Sequence, residues 1–196
     1  MKPTPPTVKD IQWRLRCYCD ERNHKWVTPN AVLFNWESDL VSVTKNGLVH
    51  EFEINRSRAD LLRDLDKPKH KERSLLTGKR PMRTHEFAGR SFTIPESELY
   101  RPNYFWFVVP EELMELAKSE RMPRYAGVLV IGVDPLSARA CTLEVLREPE
   151  RLHTATITDA LLLQLAEKMH YRFWGLMRAE QNKKVAKRVH KMFPEK

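Results

Sequence analysis

Cysteine is scarce in this chain: Cys17, Cys19 and Cys141 are all it has. An odd, sparse set cannot form a disulfide framework, so a small cross-linked extracellular scaffold is excluded and a reducing, cytoplasmic setting is expected. Cys17-x-Cys19 with His24 has no second CxxC or HxxxH pair behind it, which argues against a closed four-ligand zinc site. Glycine is equally thin, at six residues. With no GxGxxG and no GK(S/T), dinucleotide-dependent and P-loop chemistry are disfavoured. Long apolar runs are missing too. Stretches such as Val128-Leu129-Val130-Ile131 fall far short of the ~20 residues that span a bilayer. The leading residues, with Pro3, Pro5 and Pro6, lack the apolar stretch of a secretory signal. No internal repeat is present, and no histidine stands at a recognisable spacing from Ser57 for serine nucleophile chemistry.

What remains is a chain of 196 residues, 41 % hydrophobic and 31 % charged, able to bury one core. Thirty-four Lys and Arg face twenty-six Asp and Glu, for a net charge of +8. A polyanionic partner is the first reading of that balance, and a basic but merely solvated surface is the second. The positive charge is uneven. Residues 67–90 hold eight Lys/Arg against two Glu, and residues 168–196 hold nine against two.

Periodicity orders the elements. Val8 to Arg22 has helical spacing with Thr7 as N-cap. Residues 23–30 read as a loop. Leu40–Val43 and Val49–Ile54 flank Lys45-Asn46-Gly47 and predict a β-hairpin. Ser57, with Asp60 three residues on, resembles a capping box that opens a helix through Leu61, Leu62 and Leu65. Residues 67–90 read as a solvated basic loop. Tyr104–Val109, closed by Pro110, is a buried strand whose aromatics belong to the core rather than to a base-stacking platform. A short helix at Glu111–Glu120, a strand at Ala126–Val133, another at Thr142–Leu146 and a long helix at Thr158–Met177 follow. The series predicts an α/β fold, a mixed central sheet flanked by helices. It comprises a flexible lead (1–7), one domain (8–177) that includes the basic loop at 67–90, and a basic C-terminal helix extension or tail (178–196).

The candidate chemistry lies on the hairpin. Residues two apart on a strand share a face, so Glu51, Glu53 and Asn55 align, with Asp39 on the neighbouring strand. Carboxylates from adjacent strands can chelate Mg²⁺. The alternative is that Glu51 and Glu53 are the solvent face of an amphipathic strand. Asp60 and Asp64 read as helix-surface acids, Asp60 serving the cap. His70, beside the basic loop, reads as a solvated histidine or a phosphate contact. Lys183, Lys184, Lys187, Arg188 and Lys191 recur at helical spacing and make a basic face that could track a phosphate backbone. The favourable placement of cations near a helix C-terminus explains them as well.

The stretch from Glu37-Ser38-Asp39-Leu40-Val41-Ser42-Val43, through His50-Glu51-Phe52-Glu53-Ile54-Asn55-Arg56-Ser57-Arg58-Ala59-Asp60, to Asp64 resembles the PD-(D/E)XK nuclease superfamily. It is similar to a DNA-repair and phage-associated branch, in which a run of the form (E/V)-x-E-(I/V)-K-x-S-x-x-D follows an x-x-D-(V/L) strand. Tyr104–Pro110 matches a later strand of that branch, and the likeness covers residues 31–135. It implies a restriction-endonuclease-like core and a Mg²⁺- or Mn²⁺-dependent nuclease acting on DNA, duplex or branched. Asp39 and Glu53, with Glu51, would be the metal ligands, and the third motif position, normally lysine, is Asn55 here. Asparagine can hydrogen-bond a water or phosphate oxygen but brings no charge. Lys45, Arg56, Arg58 or Lys67 are the nearby cations that could replace it. Sequence-independent backbone contacts would come from Lys45, Arg56, Arg58, Lys67, Lys69, His70, Lys183, Lys184, Lys187 and Arg188. The rival expectations are a DNA-binding accessory or phage factor that has lost cleavage and engages a host or repair protein, and a protein–protein module.

Overall fold

Regular structure begins where the leading prolines end, in a computed structural model that describes residues 5–34, 36–71, 85–87, 90–92, 101–133 and 141–192. Helix α1 runs Val8–Glu21. The Thr7 side chain accepts from the Asp10 amide, and the Asp10 carboxylate accepts from the Thr7 amide at 2.8 Å. This reciprocal box satisfies two amide donors that the first turn would leave unpaired. Ile11, Leu15, Tyr18 and Cys19 form its buried stripe.

Residues 23–30 are not the expected loop. Strand β1 spans His24–Val32 and pairs antiparallel with β2, Glu37–Thr44. Pro29 and Asn30, the latter at φ 45, suggest a loop in the sequence. They are tolerated because β1 is an edge strand, where a missing amide donor breaks no ladder. The hairpin of β2 with β3, Val49–Ile54, falls where Asn46-Gly47 predicts it. Only Gly47 takes a positive φ, at 75, and its amide donates to the Thr44 carbonyl at 3.0 Å. The connection is thus a longer turn closed by a left-handed glycine, rather than a two-residue loop with both φ angles positive.

Helix α2, Arg58–Leu65, starts at Ser57, whose hydroxyl accepts from the Asp60 amide at 3.1 Å. Ser57→Ala should therefore cost about 1 kcal/mol of stability, measurable by urea denaturation; an unchanged midpoint would count against the cap. A single turn, α3, Pro68–Lys71, follows. Strands β4, His85–Phe87, and β5, Arg90–Phe92, form a separate two-stranded sheet. The rest of the 67–90 basic segment lies outside the described residues. Strand β6, Tyr104–Pro110, leads into a 3₁₀ turn, Glu111–Leu113, and helix α4, Met114–Lys118. Strands β7, Gly127–Val133, and β8, Cys141–Arg147, complete the main sheet.

The main sheet has the order β1-β2-β3-β6-β7-β8. β3, β6 and β7 run parallel to one another, and the other pairs are antiparallel. The sheet is therefore mixed, as expected. One face packs under α1, where Ile11, Leu15, Leu40, Phe52, Trp106 and Leu129 meet. On the other, Leu61 of α2 and Ala117 of α4 close over Phe105, Phe107, Val128 and Val130. Covering both faces lets β6 and β7 be continuously apolar.

Residues 1–158 form one compact unit and residues 159–196 a second. In the second, helix α5 runs unbroken over Asp159–Met192, so the stretch expected as a helix extension or tail after Met177 continues the same helix. No helix among the described residues is long and apolar enough to cross a membrane.

A buried carboxylate–lysine site

The ladder of β2 with β3 sets Leu40 opposite Phe52. One step further along the same antiparallel register, Asp39 stands opposite Glu53. Directly opposed residues share a face, with Cβ atoms about 4.5–5.5 Å apart. The Ile54 amide donates to Asp39 Oδ2 at 2.7 Å, which fixes the Asp39 carboxylate at the end of β3. On the far side, β3 pairs with β6 so that Glu51 adjoins Phe105 and Glu53 adjoins Phe107. The acidic residues thus lie on the sheet face that α2 and α3 cover.

They are not the solvent face of an amphipathic strand. Glu51 is 0 % exposed, Glu53 4 % and Asn55 4 %. Asp64 is also buried, correcting its reading as a helix-surface acid. Its spacing from Leu61 and Leu65, three residues after one and one before the other, puts it on the inward side of α2. That spacing was the signal available in the sequence. Asp60 does serve the cap, as expected.

Lys67 and Lys69 neutralise this group. Lys69 Nζ lies 2.9 Å from Glu51 Oε1 and also pairs with Glu53 Oε1. It sits over the rings of Phe105 and Trp36, 4.9 and 5.4 Å from their centroids, as cations prefer. The Trp36 indole N–H donates to Glu51 Oε1 at 2.7 Å. Lys67 Nζ approaches Glu53 Oε2 at 3.5 Å and pairs with Asp64. Lys69 therefore does not belong to a solvated loop, and the phosphate contact expected of it is unavailable: its side chain is 4 % exposed. His70 is no surface residue either. Its Nδ1 shares a hydrogen bond with the Tyr125 hydroxyl at 2.7 Å, and its ring packs on Phe105 and Phe107. Lys45 is in the hairpin turn, at the other end of β2 and β3 from Asp39 and Glu53, and its ammonium points to Asn23. It cannot replace a charge at position 55. Arg56 and Arg58 are exposed where β3 gives way to α2. Lys183 and Lys184 are exposed on α5, where Lys184 pairs with Glu180 at 2.9 Å. The side chains of Lys187 and Arg188 lie outside the described residues.

Four carboxyl groups, Asp39, Glu51, Glu53 and Asp64, thus answer to two ammonium groups. Burial shows in the protonation equilibria of Glu53 and Asp39. Burial pushes the Glu53 carboxyl up to about 8; Lys69 pulls the other way, and neighbouring Glu51 and Asp64 add to the rise. Burial also raises Asp39, against the pull of the Ile54 amide and Lys67. Burial disfavours the charged form of both lysines, but Glu53 and Asp64 at Lys67, and Glu51, Glu53 and Asp64 at Lys69, outweigh it and hold both pKa values above the usual lysine range. Among the described residues, no three acidic, histidine or cysteine side chains form a ready-made metal cage; Lys69 stands between the Glu51 and Glu53 carboxylates.

No known protein family and no curated protein matches this sequence. Among solved structures, the chain is similar to SPO1766, a protein of unknown function from Silicibacter pomeroyi. The match has a TM-score of 0.53 and 16 % identity, over 92 % of this chain and 94 % of that one. At that identity the likeness is one of fold.

Proposed function

We propose that this protein is a nuclease-fold protein of the PD-(D/E)XK type that acts on DNA, hydrolysing a phosphodiester with Mg²⁺ or Mn²⁺. The observation that carries the reading is the convergence of Asp39 and Glu53 across one hairpin, joined by Glu51 and Asp64, with lysines among them. The mixed sheet flanked by helices is what the resemblance implies. The donor set suits a hard divalent cation, since every candidate ligand is a carboxylate oxygen. One further feature favours such an ion: among the described residues, Glu51 Oε2 is buried without a hydrogen-bond partner. Asp39 and Glu53, with Glu51, would hold the ion, which when bound would lower the pKa of a water and offset charge on the phosphate.

The chain's own residues then have distinct tasks. The Ile54 amide and the β2–β3 register orient Asp39. Trp36 and Lys69 hold Glu51. Arg56 and Arg58, exposed where β3 gives way to α2, would hold a DNA backbone without reading sequence. A second reading, a DNA-binding accessory without cleavage, rests on Asn55, which leaves the third motif position uncharged.

Incubation with duplex, single-stranded and branched DNA in Mg²⁺ or Mn²⁺ separates the two. The nuclease reading expects metal-dependent cleavage, and calorimetric Mn²⁺ binding that Asp39→Asn and Glu53→Gln abolish along with cleavage. Salt-sensitive DNA binding with no cleavage would instead establish the accessory. Neither binding nor cleavage would leave the protein–protein module.

A further inference from the structure

Helix α5 carries its apolar residues in two settings. Leu162, Leu165, Met169, Phe173 and Leu176 recur at steps of three and four, the spacing of one helical face. The face is closed at its start, where Leu165 is 1 % exposed. Further along it is open: Phe173 is 55 % exposed, Leu176 73 % and Met177 47 %, with Trp174 at 55 % on the rim. From Met169 to Lys184, Arg172 is the one described side chain that is not exposed. Single exposed apolar residues are ordinary, but a continuous helical face of them marks a docking surface. A helical stretch of this length draws most of its stability from packing of its apolar face and is marginal alone in water. Gly175, in the middle of the open stretch, weakens it further. Apart from its own helix backbone, nothing lies within 4 Å of where a Cβ would stand at that position.

Charge selects the occupant. Glu167 and Arg178, both exposed, are separated by about three full turns, so they stand on the same rim of the apolar face. When a helix packs antiparallel against its own copy, the two-fold axis sets each rim beside the same rim of the other copy. An axis between Arg172 and Phe173 then brings each Glu167 opposite Arg178 of the other copy. The same register sets Met169 opposite Leu176 and brings the two Phe173 side chains together at the centre. It also holds the two copies of Lys183 about 30 Å apart, well beyond the ~8 Å screening length of physiological salt. A parallel pair would instead align Lys183 and Lys184 with themselves. An anionic lipid surface would suit the lysines but would also meet Glu167 and Glu180. Phe173 and Trp174 are of the kinds that bury about 150–250 Å² each. With Leu163, Met169, Leu176 and Met177 they give a face on the order of the ~800 Å² that one partner brings to a stable interface.

We propose that α5 pairs antiparallel with α5 of a second copy of this chain, the two-fold axis passing between Arg172 and Phe173. The pairing requires no cleavage and is independent of the nuclease reading.

Sedimentation equilibrium of the full chain reads the association, circular dichroism the helix content, and thermal melting the compact unit. The natural protein should sediment as a dimer at about 10 µM, with a Kd in the micromolar range or tighter. Phe173→Ser combined with Leu176→Ser should weaken the dimer by about 100-fold or more and lower the helix content. Both side chains are exposed in the single chain, so the melting temperature of the compact unit should not move. Glu167→Arg and Arg178→Glu each create two like-charge contacts and should each weaken the dimer by about tenfold. Combining the two restores opposite charges and should return the Kd to within about threefold of the natural value. A natural protein that stays monomeric at about 100 µM would overturn the pairing. So would a dimer that the serine variant leaves intact, or a charge-swapped double variant no tighter than either single one. A monomer that floats with phosphatidylglycerol vesicles and not with phosphatidylcholine vesicles would overturn it in favour of an anionic lipid surface.

Discussion

Lys69→Met should destabilise the compact unit by about 3–5 kcal/mol near neutral pH, the usual cost of removing one partner from a buried ion pair. The expected drop in melting temperature is on the order of 10 °C for a unit of this size. Methionine keeps the length and most of the volume of the lysine stem, so little of the loss would come from an empty cavity. It would come from Glu51 and Glu53, both inside the fold, left without the cation they share. The cost has a direction in pH. In the variant, burial and repulsion, no longer opposed by Lys69, would raise the folded-state pKa of Glu53 further above the unfolded value. Stability contributed by such groups is present below the unfolded pKa and is lost as pH rises through the folded one. Natural Glu53 keeps its proton up to about pH 8, so the gap between variant and natural protein should widen as pH rises above that value, where only the natural protein releases it. Adding Glu53→Gln to Lys69→Met removes one of the stranded charges and should recover part of the loss, a coupling expected of residues in one network. A Lys69→Met protein that melts within about 2 °C of the natural one from about pH 7 to about pH 9 would rule out the buried cluster.

The hairpin, the Ser57 cap and the apolar strands β6 and β7 were legible because each rests on local rules. Asn46-Gly47 suits a turn wherever it occurs, a serine followed by an acid three residues on caps a helix, and a run such as Tyr104–Val109 has few alternatives to burial. Strand β1 was not legible, because Pro29 and Asn30 carry loop chemistry and only an edge position makes them harmless. The acidic site was half legible. Spacing set Glu51, Glu53 and Asn55 on one face and Asp39 nearby, and the register of β2 against β3 agrees. Whether that face meets water or protein depends on what packs over it, and alternation of Phe52 with Glu51 and Glu53 cannot tell. The covering elements, α2 and α3, come from a segment whose composition is dominated by charge. Lys69 looks like any other lysine in a basic run; its burial shows only once α3 sets it over Phe105 and against Glu51 and Glu53. Asp64 was the more recoverable miss, because its helical spacing sets it beside Leu61, which is buried, and Leu65, which packs against the same core.

On the opposite face of the sheet, acid should destabilise the fold through two buried neutral histidines. His24 and His50 lie with ring centroids 4.6 Å apart. Burial, with the Arg22 cation nearby, lowers His24 to about 4. Burial, with His24 and then Arg22, lowers His50 to about 3. Hydrogen bonding agrees with neutrality, since the Trp106 indole N–H donates to His50 Nδ1 at 3.1 Å and that nitrogen must carry a lone pair. His24 Nδ1 is engaged by the Ser42 hydroxyl at 2.7 Å. Above about pH 6.5 these histidines are neutral in both states and stability does not depend on them. Below it the unfolded chain binds protons that the folded chain refuses. Stability then falls with pH by up to about 1.4 kcal/mol per pH unit for each histidine, until the folded-state values near 4 and 3 are reached. Glu53 acts with the opposite sign between its unfolded value and about 8, so the natural protein's profile mixes the two. A variant isolates the histidine contribution. His50→Gln keeps an acceptor for the Trp106 N–H but has no proton to gain. Urea denaturation of both proteins from about pH 7 down to about pH 4.5 should show the variant losing about 1.4 kcal/mol less per pH unit below pH 6.5. Parallel profiles would mean that His50 already takes up its proton in the folded state, and that the Trp106–His50 hydrogen bond does not hold it neutral.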